Sequence, residues 1–274
     1  MTATHAFDTI LYSVDGSIAE ISLNRPEVLN AINSRMLEEL DHALDLAESD
    51  SEVNVIILSA QGRSFSAGFD LKESAARGTV TMDQWRQFLQ TDFDLIMRFW
   101  DSPKPTVAAV QGHCVGGGFE LAMACDLTVA TESALFGEPE VKFGSGVVAM
   151  LLPWLTGPKL AKEMLLTGQD KMTSARALEV GLLNRVTLEE DMPATARELA
   201  RAMSTAAGSS VRMTKAAINR SYDAMGMRQA LRQALELDIY IESNGGPERE
   251  EFNRIRKQDG LNAALAWRES RSAG

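Results

Sequence analysis

Cysteine is nearly absent: only Cys114 and Cys125 occur in 274 residues. No metal-ligand spacing accompanies them, so they read as two buried thiols in a reduced compartment. Positive charge is also short, with 27 Lys and Arg against 38 Asp and Glu and a net charge of −11. Phosphate contacts need a basic face, which argues against nucleic-acid binding. A small anionic ligand held by a few local cations stays possible. No apolar window approaches membrane-spanning length. The start, MTATHAFDTI, lacks the basic-then-apolar pattern of a signal peptide, so a cytoplasmic protein is expected. No G-x-S-x-G elbow exists, and Ser64 and Ser66 have no partnered base, which counts against a serine hydrolase.

What is present reads as alternating strands and helices. TILYSV and SIAEISL flank Asp15-Gly16 and predict a hairpin. Ser34 is expected to cap a helix through MLEELDHALDLAESD. VNVIILSA and TVAAVQG are continuous apolar runs, as expected of strands buried on both faces. A helix over 82–100, a short one at FELAMA, the strand DLTVA, helices near 158–167 and 174–180 and a last short strand at NRVT follow. This alternation favours parallel pairing and an α/β architecture. Beyond Pro193 only helices are predicted. The expected division is a core over 1–194 and a helical part over 195–274.

Three consecutive glycines, Gly116, Gly117 and Gly118, precede an apolar helix that contains Glu120. Glycines entering a helix expose backbone N–H groups at the positive end of its dipole, where an anion or developing oxyanion can bind. Taken alone, an acid that merely complements the dipole is the better explanation of Glu120. SFSAGFDLKE, also after a buried strand, can offer a second N–H from its Ala67-Gly68-Phe69 turn, and two such donors make an oxyanion hole. LFGEPEVKFG adds Glu140. The pattern Gly144-Ser145-Gly146-Val147-Val148-Ala149 matches a dinucleotide fingerprint but follows no convincing long strand, and is set aside. His5 and His42 read as surface residues, and His113 as a local hydrogen-bonding residue.

In this order and spacing, SFSAGFDLKE, KPTVAAVQGHCVGGGFELAMACDLTVA and FGEPEVKFG resemble the crotonase superfamily, the enoyl-CoA hydratases and isomerases. NRPEVLNAIN and LTGQDKMTSARALEVGLLNRV match it too. The resemblance implies a spiral of ββα units with a helical C-terminal part that assembles trimers or dimers of trimers. It implies an acyl-CoA substrate, no metal and no resident cofactor, since coenzyme A arrives on the substrate. The N–H groups of Phe69 and Gly117 are the implied oxyanion hole, and Glu120 and Glu140 the catalytic pair. Isomerases tend to keep only the second acid, so both together favour hydration of a 2-enoyl-CoA. An isomerase, or a thioester hydrolase or lyase, is the alternative within the fold; a non-catalytic acyl-CoA-binding protein is the alternative outside it.

Ala67, Asp70, Leu71 and Lys72 are expected along the pantetheine path. Arg25 and Lys72 are candidates for the CoA phosphates, and Phe252 is placed at a neighbouring subunit's CoA site with Arg254 or Lys257 beside it. One departure is visible. After EVKFG, this chain reads SGVVAMLLPWLTG, and Val148, Met150 and Leu151 stand where small residues are common, so they are expected to fill the acyl pocket.

Overall fold

The structure is a computed structural model that describes residues 7–78 and 80–271. Strands β1 (Ile10–Asp15) and β2 (Ile18–Leu23) form the expected antiparallel hairpin, with Gly16 at φ 58° in its turn. A 3-10 turn at Pro26–Val28 follows, and then α1 (Ser34–Ser49). The cap of α1 is Asn33 rather than Ser34, its side chain accepting from Met36 N–H; the Ser34 hydroxyl donates to Glu73 instead. Next come β3 (Val55–Ala60), the short helix α2 (Leu71–Ala76) and α3 (Met82–Asp101). β4 (Thr106–Val110), β5 (His113–Val115) and α4 (Gly117–Ala124) lead to β6 (Leu127–Thr131) and β7 (Leu135–Gly137). A 3-10 turn over Glu140–Phe143 precedes α5 (Leu152–Thr156), α6 (Pro158–Thr167), β8 (Met172–Thr173), α7 (Ser174–Glu179) and β9 (Arg185–Thr187). The remainder is helical: α8 (Met192–Ser204), α9 (Gly208–Ala224), α10 (Met227–Asn244), α11 (Pro247–Asp259) and α12 (Leu261–Ser270).

Six strands form one sheet in the order β1-β2-β3-β4-β6-β9, parallel except at the hairpin. β5, β7 and β8 form a small second sheet that the sequence patterns did not disclose, because strands of two or three residues carry no periodicity. The apolar runs are explained by burial on both faces. Ile56, Leu58, Ala108 and Val110 point into the main core with α1 and α3; Val55, Ile57, Val107 and Ala109 meet Met192, Ala196 and Ala200 of α8. The division expected at residues 194 and 195 therefore falls inside α8, a helix that covers the sheet.

Beside the sheet, two loops are locked together. Leu29 and Asn30 adopt positive φ (54° and 52°), which turns the Asn30 amide inward. Its Nδ2 donates to the carbonyls of Gln61 and Ser64, and Ala67 N–H donates to Leu29 O. The segment NRPEVLNAIN is thus the frame on which SFSAGFDL is held, at the carboxyl end of β3, where ligands gather in α/β folds.

Candidate active site

A cleft of about 1450 Å³ opens between the α2 loop, the turn at Glu140 and the helices α10 to α12. Of the residues anticipated from sequence, Ala67, Phe69, Asp70, Leu71, Lys72, Glu140 and Phe252 line it. Gly117, Glu120 and Arg25 do not.

Gly117 lies immediately behind the wall. A Cβ added there would sit 2.6 Å from the Phe69 ring, so with the ring in this position only glycine fits. Neither Phe69 N–H nor Gly117 N–H has a hydrogen-bond acceptor among the described residues. Gly68 N–H, by contrast, is taken by Ser66 Oγ at 3.1 Å. Gly117 opens α4, so its free N–H stands at the positive end of that helix.

Glu120 is 1% exposed and is held by the unusual segment itself: Val148 N–H donates to Oε1 at 3.3 Å and Ala149 N–H to Oε2 at 2.6 Å. Burial pushes its carboxyl well above the usual range, and the nearby Glu140 adds to the rise. Glu140 projects from its 3-10 turn toward the glycines; a Cβ on Gly116, which sits at φ 54°, would lie 2.5 Å from Glu140 Oε1. Burial raises the Glu140 carboxyl to about 7. One oxygen of this acid, Oε2, is buried without a hydrogen-bond partner.

Two acids of the site were not singled out from sequence. Glu138, two residues before Glu140, is buried beside it with neither oxygen in a regular hydrogen bond, and burial first, then Glu140, lifts it well above the usual range. Asp238 of α10 lines the cleft from the far side. Its signal was in the sequence: the buried stripe Met227, Leu231, Leu235, Ile239 of α10 includes one acid.

Four expectations meet a different geometry. Arg25 is not on the cleft wall, because its Nη1 is bound to Ala31 O at 2.6 Å and Asp70 Oδ2 at 3.0 Å, fixing the α2 cap rather than facing solvent phosphate. Asp70 in turn caps α2, and although burial opposes it, these hydrogen bonds hold its carboxyl below the usual range. Phe252 packs within its own chain, among Ile255, Ala264 and Leu71, and lines this chain's own cleft. The cation tying α11 down is Arg256, whose Nη1 donates to Leu71 O at 3.0 Å, while Arg254 is paired with Glu251 on the surface. Of the three bulky residues in the altered segment, only Val148 reaches the cleft; Leu151 is wholly in the core and Met150 packs against it. The backbone N–H groups at 148 and 149 are turned toward Glu120. Lys72, on the cleft rim, is exposed and has no ion-pair partner among the described residues.

Cys114 and Cys125 are buried free thiols. Among the described residues, no helix is long and apolar enough to cross a membrane.

Residues 13–244 match the enoyl-CoA hydratase/isomerase family. A short-chain-enoyl-CoA hydratase of Clostridium acetobutylicum is 36% identical over 219 residues, 78% of this chain and 82% of that protein. The crystal structure of an enoyl-CoA hydratase/isomerase from Xanthobacter autotrophicus is 47% identical with a TM-score of 0.96, covering 97% of this chain and 99% of that one. An enoyl-CoA hydratase structure from Mycobacterium smegmatis, 26% identical, has a TM-score of 0.89 and covers 97% and 94%. This chain therefore belongs to the enoyl-CoA hydratase/isomerase family and has the α/β crotonase fold with a helical C-terminal part.

Proposed function

We infer that this protein hydrates a 2-enoyl-CoA thioester to the 3-hydroxyacyl-CoA. Beyond family membership, the observation that carries the reading is Glu140: a buried acid titrating near neutrality, on the cleft wall, beside free N–H groups at a helix start. The thioester oxygen would be held by Phe69 N–H and Gly117 N–H. Water oxygen bonds to C3, and the π pair moves onto the thioester oxygen as an enolate. The attacking water gives up one proton to the Glu120–Glu140 pair and the pair delivers one to C2, so one water is added overall and both acids end as they began. Each oxyanion donor contributes about 3 kcal/mol of transition-state stabilisation in enzymes where one has been removed. Glu140 is assigned the proton for C2 and Glu120 the orientation of water. Since Gly117 and Glu120 lie behind the wall, the acyl group reaches them only if the Phe69 ring and residues 146–149 shift on binding. Asp70, Leu71, Lys72, Ala67 and Phe252 would line the pantetheine path, with Lys72 offered to a CoA phosphate. The activating group comes with the substrate, so the proposal calls for no resident cofactor.

The pinning of Glu120 favours a second reading, a double-bond shift run by Glu140 alone. Crotonyl-CoA, followed by loss of conjugated absorbance, and a 3-enoyl-CoA, followed by its gain, separate the two. Hydration predicts that Glu140→Gln and Glu120→Gln each lower kcat by about 10²–10⁴ with little change in thioester binding. Turnover of the 3-enoyl ester alone, insensitive to Glu120→Gln, would establish the second reading.

A homotrimer or dimer of trimers is proposed with it. Met213, Ile218 and Met225 on or beside α9, and Leu237 and Tyr240 on α10, are large apolar side chains left mostly exposed, as an unfilled subunit interface would be. A monodisperse monomer in sedimentation would sink this assembly. The cytoplasm is the compartment that the two free thiols support.

A further inference from the structure

Asp238 is out of place for a hydrocarbon pocket. It stands on the apolar stripe of α10, is 3% exposed, and lines the cleft, yet neither carboxyl oxygen has a hydrogen-bond partner at regular geometry among the described residues, the backbone N–H of Gly146 being the one donor close enough to act on it. Gly146 is pressed against it: a Cβ there would lie 2.2 Å from Asp238 Oδ1, so the chain keeps glycine where the acid needs room. Arg249, on the same wall, shows the complementary deficit. Its Nη2 is bound to Glu242 and its guanidinium lies over the Trp85 ring at 5.2 Å, but its buried Nη1 has no partner. Asp238 and Arg249 do not form an ion pair with each other. A buried acceptor and a buried donor, both open to one cleft, each cost free energy until something fills them.

We propose that Asp238 and Arg249 are substrate-recognition residues, and that the acyl group taken here bears a hydroxyl that donates to the Asp238 carboxylate and accepts from Arg249 Nη1. The proposal rests on the acyl-CoA reading of the cleft given above. Among groups an acyl chain can carry, a hydroxyl is the simplest that answers both deficits, and an aliphatic acyl chain answers neither. Burial raises the Asp238 carboxyl to about 7, with Glu242 and Glu140 adding and Arg249 opposing, so both its forms are populated at neutral pH; a hydroxyl pairs with either.

Matched substrates test it on the wild type: crotonyl-CoA against 4-hydroxycrotonyl-CoA, and 2-hexenoyl-CoA against 6-hydroxy-2-hexenoyl-CoA. A site built to bond a hydroxyl discriminates strongly against its absence, so the hydroxylated member of at least one pair should show kcat/KM at least about tenfold higher. Asp238→Leu should abolish or reverse that preference, with Asp238→Ala in reserve if the leucine variant does not fold. Equal kcat/KM within both pairs would mean that water fills the gap, and would overturn the proposal, as would a preference that survives both substitutions. Calorimetric binding of hexanoyl-CoA and 6-hydroxyhexanoyl-CoA keeps the failures apart. Tighter binding of the hydroxylated ester without hydration of any enoyl ester supports Asp238 recognition and removes the hydratase reading. Hydration with no preference in rate or binding does the opposite.

Discussion

At the scale of single residues, the site is a problem of too many acids in too little water. Glu120, Glu138, Glu140 and Asp238 are all buried, and burial raises every one. If Glu140 gives the proton to C2, its protonated form is the working one. Activity should then fall as pH rises through about 7, the value to which burial lifts this acid, and a kcat/KM profile on crotonyl-CoA would show that basic limb. A profile flat from pH 6 to 9 would remove Glu140 as the donor. Gly116 gives a second check. An alanine there meets both positive φ and Glu140 Oε1 at 2.5 Å, so Gly116→Ala should displace the acid and cost at least about tenfold in kcat, one factor of ten being about 1.4 kcal/mol.

Elements decide how firmly these residues are held. The loop that presents Phe69 owes its shape to Asn30, whose amide spans Gln61 and Ser64, and the start of α1 owes its position to Asn33. Two adjacent polar residues invited the wrong choice of cap. Ser34 looked suitable by type, but its hydroxyl is engaged by Glu73 of α2, leaving Asn33 with extended backbone and the bond to Met36 N–H. Asn33→Ala should therefore lower stability by about 1 kcal/mol, against about 0.5 kcal/mol or less for Ser34→Ala, in urea unfolding. Equal effects would mean that the link between α1 and α2 matters as much as the cap.

For the whole molecule, the buried acids make stability depend on pH. A carboxyl whose value is higher folded than unfolded binds its proton more tightly when folded. Its contribution is complete below about pH 4 and is lost as pH climbs through the folded value. Asp92, Glu140 and Asp238, each raised by burial to about 7, place that loss between about pH 4 and 7, with Glu120 and Glu138 extending it upward. Glu39 and Asp70, both lowered, act in the opposite sense and weaken the fold as pH drops through their own values. The melting temperature should accordingly be higher at pH 6 than at pH 8. Glu138→Gln, which removes a buried titratable acid beside Glu140, should raise stability at pH 8 by roughly 1–3 kcal/mol and flatten the profile. A lower melting temperature for the variant at pH 8 would show that Glu138 has an ionised partner role instead.

Much of this was legible in the chain itself. Apolar runs of β-branched residues at 53–60 and 106–110 could only be strands buried on both faces, and the motifs around Phe69, Gly117, Glu120 and Glu140 announced the family because local backbone geometry dictates them. What stayed hidden depended on contacts between distant segments. Whether Val148 fills a pocket or lends its N–H to Glu120 depends on how residues 145–151 turn, since the same valine suits either. Arg25 read as a free cation until Asp70, 45 residues away, was found beside it. Asp238, 98 positions past Glu140, faces the same cleft only because α10 packs along α3. Local sequence sets which conformations each segment can adopt and which chemistry it can offer. The burial that moves a carboxyl to neutrality, and the neighbour that satisfies it or leaves it waiting for substrate, exist only once the chain has closed on itself.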